Sequence, residues 1–201
     1  MGSALRRLHV YRDDLEMSSP SYKGRGVFYF DSNDLVRPEV TRHVRRLETQ
    51  FLPSAAHGKL LLASAPSRRP FSQTREYEAL RNALDERLRE DAEDVLVCFY
   101  AAPFGVVPVD LAETYPLSQF EAAEPLDLET LAVTADAVGS FVDQCCCHEV
   151  VIYSGEEALD SLVEAKCREA LEGEGRKLRV VVESDRWGKG ALERLVGALK
   201  A

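Results

Sequence analysis

No apolar run in this 201-residue chain approaches the roughly 20 residues that a membrane-spanning helix needs. The opening stretch, MGSALRRLHVYRDD, lacks the uninterrupted apolar core, roughly 7 to 15 residues long, of a secretory signal. A cytoplasmic protein that makes no membrane contact is therefore expected. Missing too are a Walker loop, a dinucleotide glycine fingerprint, an HExxH helix and a GxSxG elbow; the GKG at Gly188 to Gly190 is too short for a phosphate loop and lacks its Ser or Thr. There is no internal repeat and no extended low-complexity tract.

A disulfide framework is also absent. Cys98 and Cys167 fall in apolar or helical surroundings, and Cys145, Cys146 and Cys147 are consecutive, which leaves no set of spaced pairs to staple a small domain. Free thiols are expected. The run CCCH, Cys145 to His148, gathers metal-binding residue types, but consecutive side chains diverge whereas structural zinc sites use separated pairs. The reading adopted is a helix end entering a strand, with no metal and no cofactor.

What is present is an ordinary globular composition, 45% hydrophobic and 29% charged, long enough for one well-buried domain but not two. The net charge of -9 is unevenly shared: residues 1 to 90 carry 16 Lys+Arg against 12 Asp+Glu, and the remainder 9 against 22. The N-terminal half can meet a polyanion locally, but the acidic total is unlike a dedicated nucleic-acid binder.

The densest information lies in KLLLASAPSRRPFSQTREY, Lys59 to Tyr77. Leu60, Leu61 and Leu62 suit a strand covered on both faces, and Pro66 and Pro70 end it because they cannot donate to a ladder. Tyr77, Leu80, Leu84 and Leu88 then recur at helical spacing. In open α/β sheets ligands settle beyond the carboxyl ends of strands, so this loop offers Arg68 and Arg69 to a phosphate or carboxylate, or else simply to solvent.

Elsewhere, residues 1 to 26 lack periodicity and read as an N-terminal arm, followed by an α/β domain over 27 to 201. Val27 to Phe30 suits a short strand. Arg37 to Phe51 suits a helix with Val40, Val44, Leu47 and Phe51 inward and Arg42, His43, Arg45 and Arg46 outward, facing phosphates or solvent. Further buried strands are expected over Asp94 to Ala102, Glu149 to Ser154 and Lys177 to Ser184. Helices are expected after Asp127, over Glu156 to Leu171 and at the C-terminus. The segment Ala101 to Pro116 reads as irregular, with Gly105 either making a turn or admitting a ligand. Trp187 either stacks a base or covers the core. Strands separated by helices predict an α/β fold, a three-layer sandwich with a mostly parallel sheet.

Three blocks, RPEVTRHVRRLETQF (Arg37 to Phe51), RRPFSQT (Arg68 to Thr74) and APFGVVPVDLAETYP (within Ala101 to Pro116), resemble in chain order the central α/β domain of archaeal archaeosine synthases and related tRNA-guanine transglycosylase-like proteins. The resemblance spans about residues 27 to 185 and leaves out the family's N-terminal transglycosylase-like barrel and C-terminal PUA domain. It implies a uracil-DNA glycosylase-like fold and work on tRNA carrying the deazaguanine base preQ0. The family hallmark is Pro-Cys, three residues, Lys-Pro-Tyr, two residues, Ser, two residues, His. By resemblance it falls on Ser64 and Ala65, then Arg69, Pro70 and Phe71, then Thr74, then Tyr77.

Only Pro70 is identical. Ala65 has no thiol, so it supplies neither nucleophile nor metal ligand; Tyr77 is a poor proton carrier near neutrality, and Arg69 stays protonated where a lysine can become neutral. Whether the chain is an enzyme is therefore open, and no catalytic residue is assigned. The leading expectation is a catalytically degenerate domain of tRNA modification that binds tRNA, a base or a partner. The expected site is Arg68, Arg69, Pro70, Phe71, Thr74, Tyr77, Pro103, Phe104 and Gly105. The alternative is a small-molecule enzyme acting on a nucleobase or nucleoside, with Asp185, Glu156 or Asp110 as base. A third expectation is a subunit that supplies this domain to a separately encoded transglycosylase or PUA-domain protein.

Overall fold

Leu60, Leu61 and Leu62 are wholly buried in the middle strand of a five-stranded sheet. The computed structural model describes residues 27–29, 31–51, 57–122, 125–173 and 175–200; the expected arm at residues 1 to 26 lies outside them. A parallel ribbon pairs β1 (Val27–Tyr29) with β5 (Phe120–Ala122). The main sheet comprises β2 (Lys59–Ser64), β3 (Val95–Ala101), β4 (Gly105–Pro108), β6 (Glu149–Ser154) and β7 (Lys177–Val182), in the order β4-β3-β2-β6-β7. Every neighbouring pair is parallel except β3 with β4.

Five helices flank the sheet: α1 (Pro38–Thr49), α2 (Arg75–Leu88), α3 (Leu128–Gln144), α4 (Ala158–Leu171) and α5 (Lys189–Lys200). α3 packs on α4 and α2 on α5, giving the expected three-layer α/β sandwich. Local chemistry sets the helix starts. Pro38 opens α1, where its missing N–H costs nothing. Asp127 caps α3 by accepting from the Thr130 N–H at 2.9 Å, and Glu157 with Asp160 forms a capping box on α4. Cys145 ends α3 just ahead of β6, the helix-to-strand passage expected of the cysteine run.

The segment expected to be irregular holds a strand. The chain reverses after β3 through a turn in which the Phe104 N–H donates to the Ala101 carbonyl at 3.0 Å, and β4 runs back along β3 with Tyr100 opposite Val106. Gly105 carries a left-handed φ of 71°, and a Cβ there would sit 2.9 Å from the Ala137 Cβ on α3. Its freedom therefore serves the turn and close helix packing. Beyond it, Phe120 to Ala122 pairs with β1, a contact between segments far apart in sequence that local periodicity does not encode.

His43 also departs from expectation. Instead of lining an outward basic face, it is buried, with Nε2 2.8 Å from the Val106 carbonyl. Burial lowers its pKa to about 4, the carbonyl pulling upward and Arg46 downward. Arg42 and Arg45 do face outward. No helix among the described residues is long and apolar enough to cross a membrane, and all five cysteines are free.

Candidate functional site

The chain leaves β2 for β3 on one side and later returns to β6 on the other. Such a reversal of strand order at the carboxyl ends of the central strands is where open α/β sheets form a ligand crevice. Ala65 sits at this point, half-buried, its N–H bonded to the Tyr100 carbonyl at 3.2 Å.

Past Ala65 the loop folds over an aromatic cluster. Phe71 packs on Phe99 with ring centroids 5.0 Å apart, and Phe104 on Phe120 at 4.7 Å and Tyr29 at 5.3 Å. The Arg69 guanidinium lies between two of these rings, 4.0 Å from the Phe71 centroid and 4.2 Å from that of Phe120. Its Nη1 donates to the Pro66 carbonyl at 2.5 Å, while its Nε is buried without a hydrogen-bond partner among the described residues. Burial lowers its pKa to about 10, against an upward pull from Glu121, so it remains a cation at neutral pH. Arg68, one residue earlier, is exposed.

The other expected residues divide by role. Pro70 follows Arg69 through a cis peptide, as Pro103 follows Ala102. Thr74 is buried and donates to the Phe71 carbonyl at 2.7 Å while accepting from the Tyr77 N–H at 3.1 Å, which caps the start of α2. Phe71 and Phe104 are fully buried and Pro103 is buried with them, so these residues support the loop from beneath. Tyr77 lies at the start of α2. It rests on Phe99 at 6.1 Å and lines a groove of about 290 Å³ with Arg81, Asp85 and Asp110.

On the β6 side lies a polar group that sequence reasoning missed. Asp160, 4% exposed, accepts from the Tyr100 hydroxyl at 2.6 Å and from the Gly155 N–H at 2.8 Å. Tyr100 is held protonated by burial, then by the Asp160 charge; the Ser64 hydroxyl bonds the same phenol. Arg186 closes over this group, its Nη1 3.6 Å from Asp160 and its Nη2 donating to Glu157 at 3.1 Å. A Cβ on Gly155 would come within 2.7 Å of Arg186 Nη1, so the glycine makes room for the guanidinium. Asp160 was hidden as an ordinary acid in the first turn of a helix. Ser154 and Gly155 were the visible clue, as small polar residues at a strand end.

Asp185, Glu156 and Asp110, the acids named for an enzyme, are all exposed. The buried carboxylate at the strand ends is Asp160 instead. Trp187 covers the core, meeting Tyr153 edge-on at 6.2 Å. Among the described residues, no three His, Cys, Asp or Glu side chains are grouped to hold a metal ion.

Comparisons with known proteins extend the picture. Residues 40–199 match a family model described as "Domain of unknown function (DUF5591)". The chain is 33% identical over 156 residues to a tRNA-guanine(15) transglycosylase of Methanobrevibacter smithii, an alignment covering 74% of this chain and 22% of that protein. It is 32% identical over 143 residues to the one of Saccharolobus solfataricus, covering 70% and 27%. The chain thus spans only about a quarter of the length of these relatives. The crystal structure of AF0587, a protein of unknown function, superposes with a TM-score of 0.51 at 16% identity, covering 72% of this chain and 45% of that one. At that identity the likeness concerns the fold alone.

Proposed function

Because this chain belongs to the DUF5591 family, we propose that it serves tRNA base modification as a catalytically degenerate domain, binding tRNA through the carboxyl ends of its central strands. The observation that carries this reading is Ala65. The strand, loop and helix that surround this position are all present, yet the residue after the middle strand carries only a methyl group. No neighbouring thiol compensates: Cys98 is fully buried within β3, where burial drives its pKa up.

The names of the relatives, tRNA-guanine(15) transglycosylases, supply the substrate class. Arg69, held as a cation between Phe71 and Phe120, and the exposed Arg68 suit a phosphate backbone passing the crevice. Since the chain matches only part of those proteins, the reading includes a separately encoded transglycosylase or PUA-domain partner to complete the activity, in the cytoplasm, on a uracil-DNA glycosylase-like scaffold.

Titration with archaeal tRNA over a range of salt concentrations tests it. The expected result is salt-dependent binding that Arg68→Ala weakens and that flattens on the log salt axis by about one charge. Equal, weak binding by wild type and variant at low salt would remove the RNA reading. The second reading, an enzyme acting on a nucleobase or nucleoside, is favoured by one feature, the buried Asp160 carboxylate beside Tyr100.

A further inference from the structure

We propose that β7 is a self-pairing edge, and that two copies of this chain join through it into one continuous ten-stranded sheet. β7 is the last strand of its sheet. Lys177 donates its N–H to His148 and Glu183 to Ser154, both at 3.0 Å, so the odd-numbered residues of this stretch face β6. In a parallel strand each residue turns its N–H and C=O the same way. Leu178, Val180 and Val182 therefore point three donors and three acceptors outward, and no strand covers them among the described residues.

Natural edges are usually blunted by proline, a bulge, inward charges or a covering helix. KLRVVV contains no proline or glycine. One of its two charges, Arg179, is neutralised by its ion pair with Glu149. Val182 is half exposed, while Leu178, Val180 and Val181 are only partly buried.

The occupant follows from the sequence of the edge itself. Antiparallel pairing about a twofold axis at Val180 sets Val180 against its own copy and Leu178 against Val182 of the second chain, with six backbone hydrogen bonds between them. On the other face the same register sets Lys177 opposite Glu183 of the second copy, at the non-hydrogen-bonded position where side chains come closest. Glu183 already accepts from Arg194 at 2.6 Å, so the lysine would join an ordered carboxylate. Moving the axis to Leu178 would instead bring Lys177 against Arg179, a like-charge clash. In one register the even-numbered face is apolar against apolar and Lys177 meets Glu183, while Arg179, already held by Glu149, lies opposite Val181, the self-complementarity that a twofold interface requires.

Sedimentation equilibrium on the full chain tests the pairing. Wild type should shift from one to two chain masses as concentration rises. Val180→Pro removes only an outward N–H, which an edge strand tolerates, and should weaken association by roughly thirtyfold, the worth of two lost hydrogen bonds, with an unchanged circular dichroism spectrum. Lys177→Glu and Glu183→Lys should each be monomeric alone and should associate when mixed, because mixing restores both ion pairs. In hydrogen exchange, the Leu178, Val180 and Val182 amides should gain protection with concentration. A wild type that stays monomeric at every soluble concentration would overturn the proposal, as would Val180→Pro association as tight as wild type or mixed charge variants that ignore one another.

Discussion

The two ends of the main sheet handle charge in opposite ways. At the amino ends, Glu149 is 3% exposed and bonded to Arg179 and Lys59, and Lys59 also donates to the Leu199 carbonyl. Burial alone would raise the Glu149 pKa, but the hydrogen bond from Arg179 and the charge of Lys59 outweigh it and bring the pKa below the usual carboxylate value. Within this trio every charge has a partner. At the carboxyl ends, Arg69 Nε and Arg186 Nη1 are buried without hydrogen-bond partners among the described residues. A buried cation with unused donors is costly to keep, and it is kept at the end of the sheet where α/β proteins bind ligands. The closed network serves stability, and under the proposed function the incomplete one serves recognition.

The largest test of that contrast is Glu149→Ala, which strands Lys59 and Arg179. It should cost about 3 kcal/mol of unfolding free energy, measured by urea denaturation, with tRNA binding by the folded fraction unchanged. If Glu149→Ala were neutral, the amino end would hold no special stability.

Acid should then separate the ends in pH. His43, beside the carboxyl-end turn, has a folded pKa of about 4 against 6.5 when free. Its contribution is complete above about 6.5 and fades toward 4, because the unfolded chain binds the proton first. The loss amounts to about 3 kcal/mol. Glu149 has a lowered pKa, so its contribution is complete above the ordinary carboxylate value of 4.5 and disappears below it. Thermal melts should show His43→Gln flattening the pH 6.5 to 4.5 range only.

Smaller still, Tyr100→Phe removes one of the donors to Asp160 and should cost about 1 to 2 kcal/mol. Arg68→Ala, at an exposed position, should move stability by less than about 0.5 kcal/mol while weakening tRNA binding. Loss of stability without loss of binding in Arg68→Ala would invert the contrast drawn between the two ends.

Much of the layout could be read from sequence because burial on both faces leaves a mark. Leu60 to Leu62 and the Val150–Ile152 run announce central strands, and the three-to-four-residue spacing after Tyr77 announces α2. β4 stayed hidden because it is short and lies among Pro103, Gly105 and Pro108, although its partner Tyr100 is only six residues before Val106, and β5 because its partner Val27 is far from Phe120 in sequence. His43 was misplaced because a histidine among arginines reads as surface, whereas its Nε2 answers an edge carbonyl that only tertiary packing brings near. Arg69 was identified, but its aromatic cage was not, since Phe120 lies 51 positions further along the chain. Asp160 carried no signal beyond its place in a helix start.

Trp187 is the chain's only tryptophan, partly buried against Tyr153 in the turn that carries Arg186. The chain's one indole thus sits on the clasp over Asp160. Any ligand that draws Arg186 aside should change the indole's emission colour and its quenching by iodide, giving an optical readout of the crevice without any label.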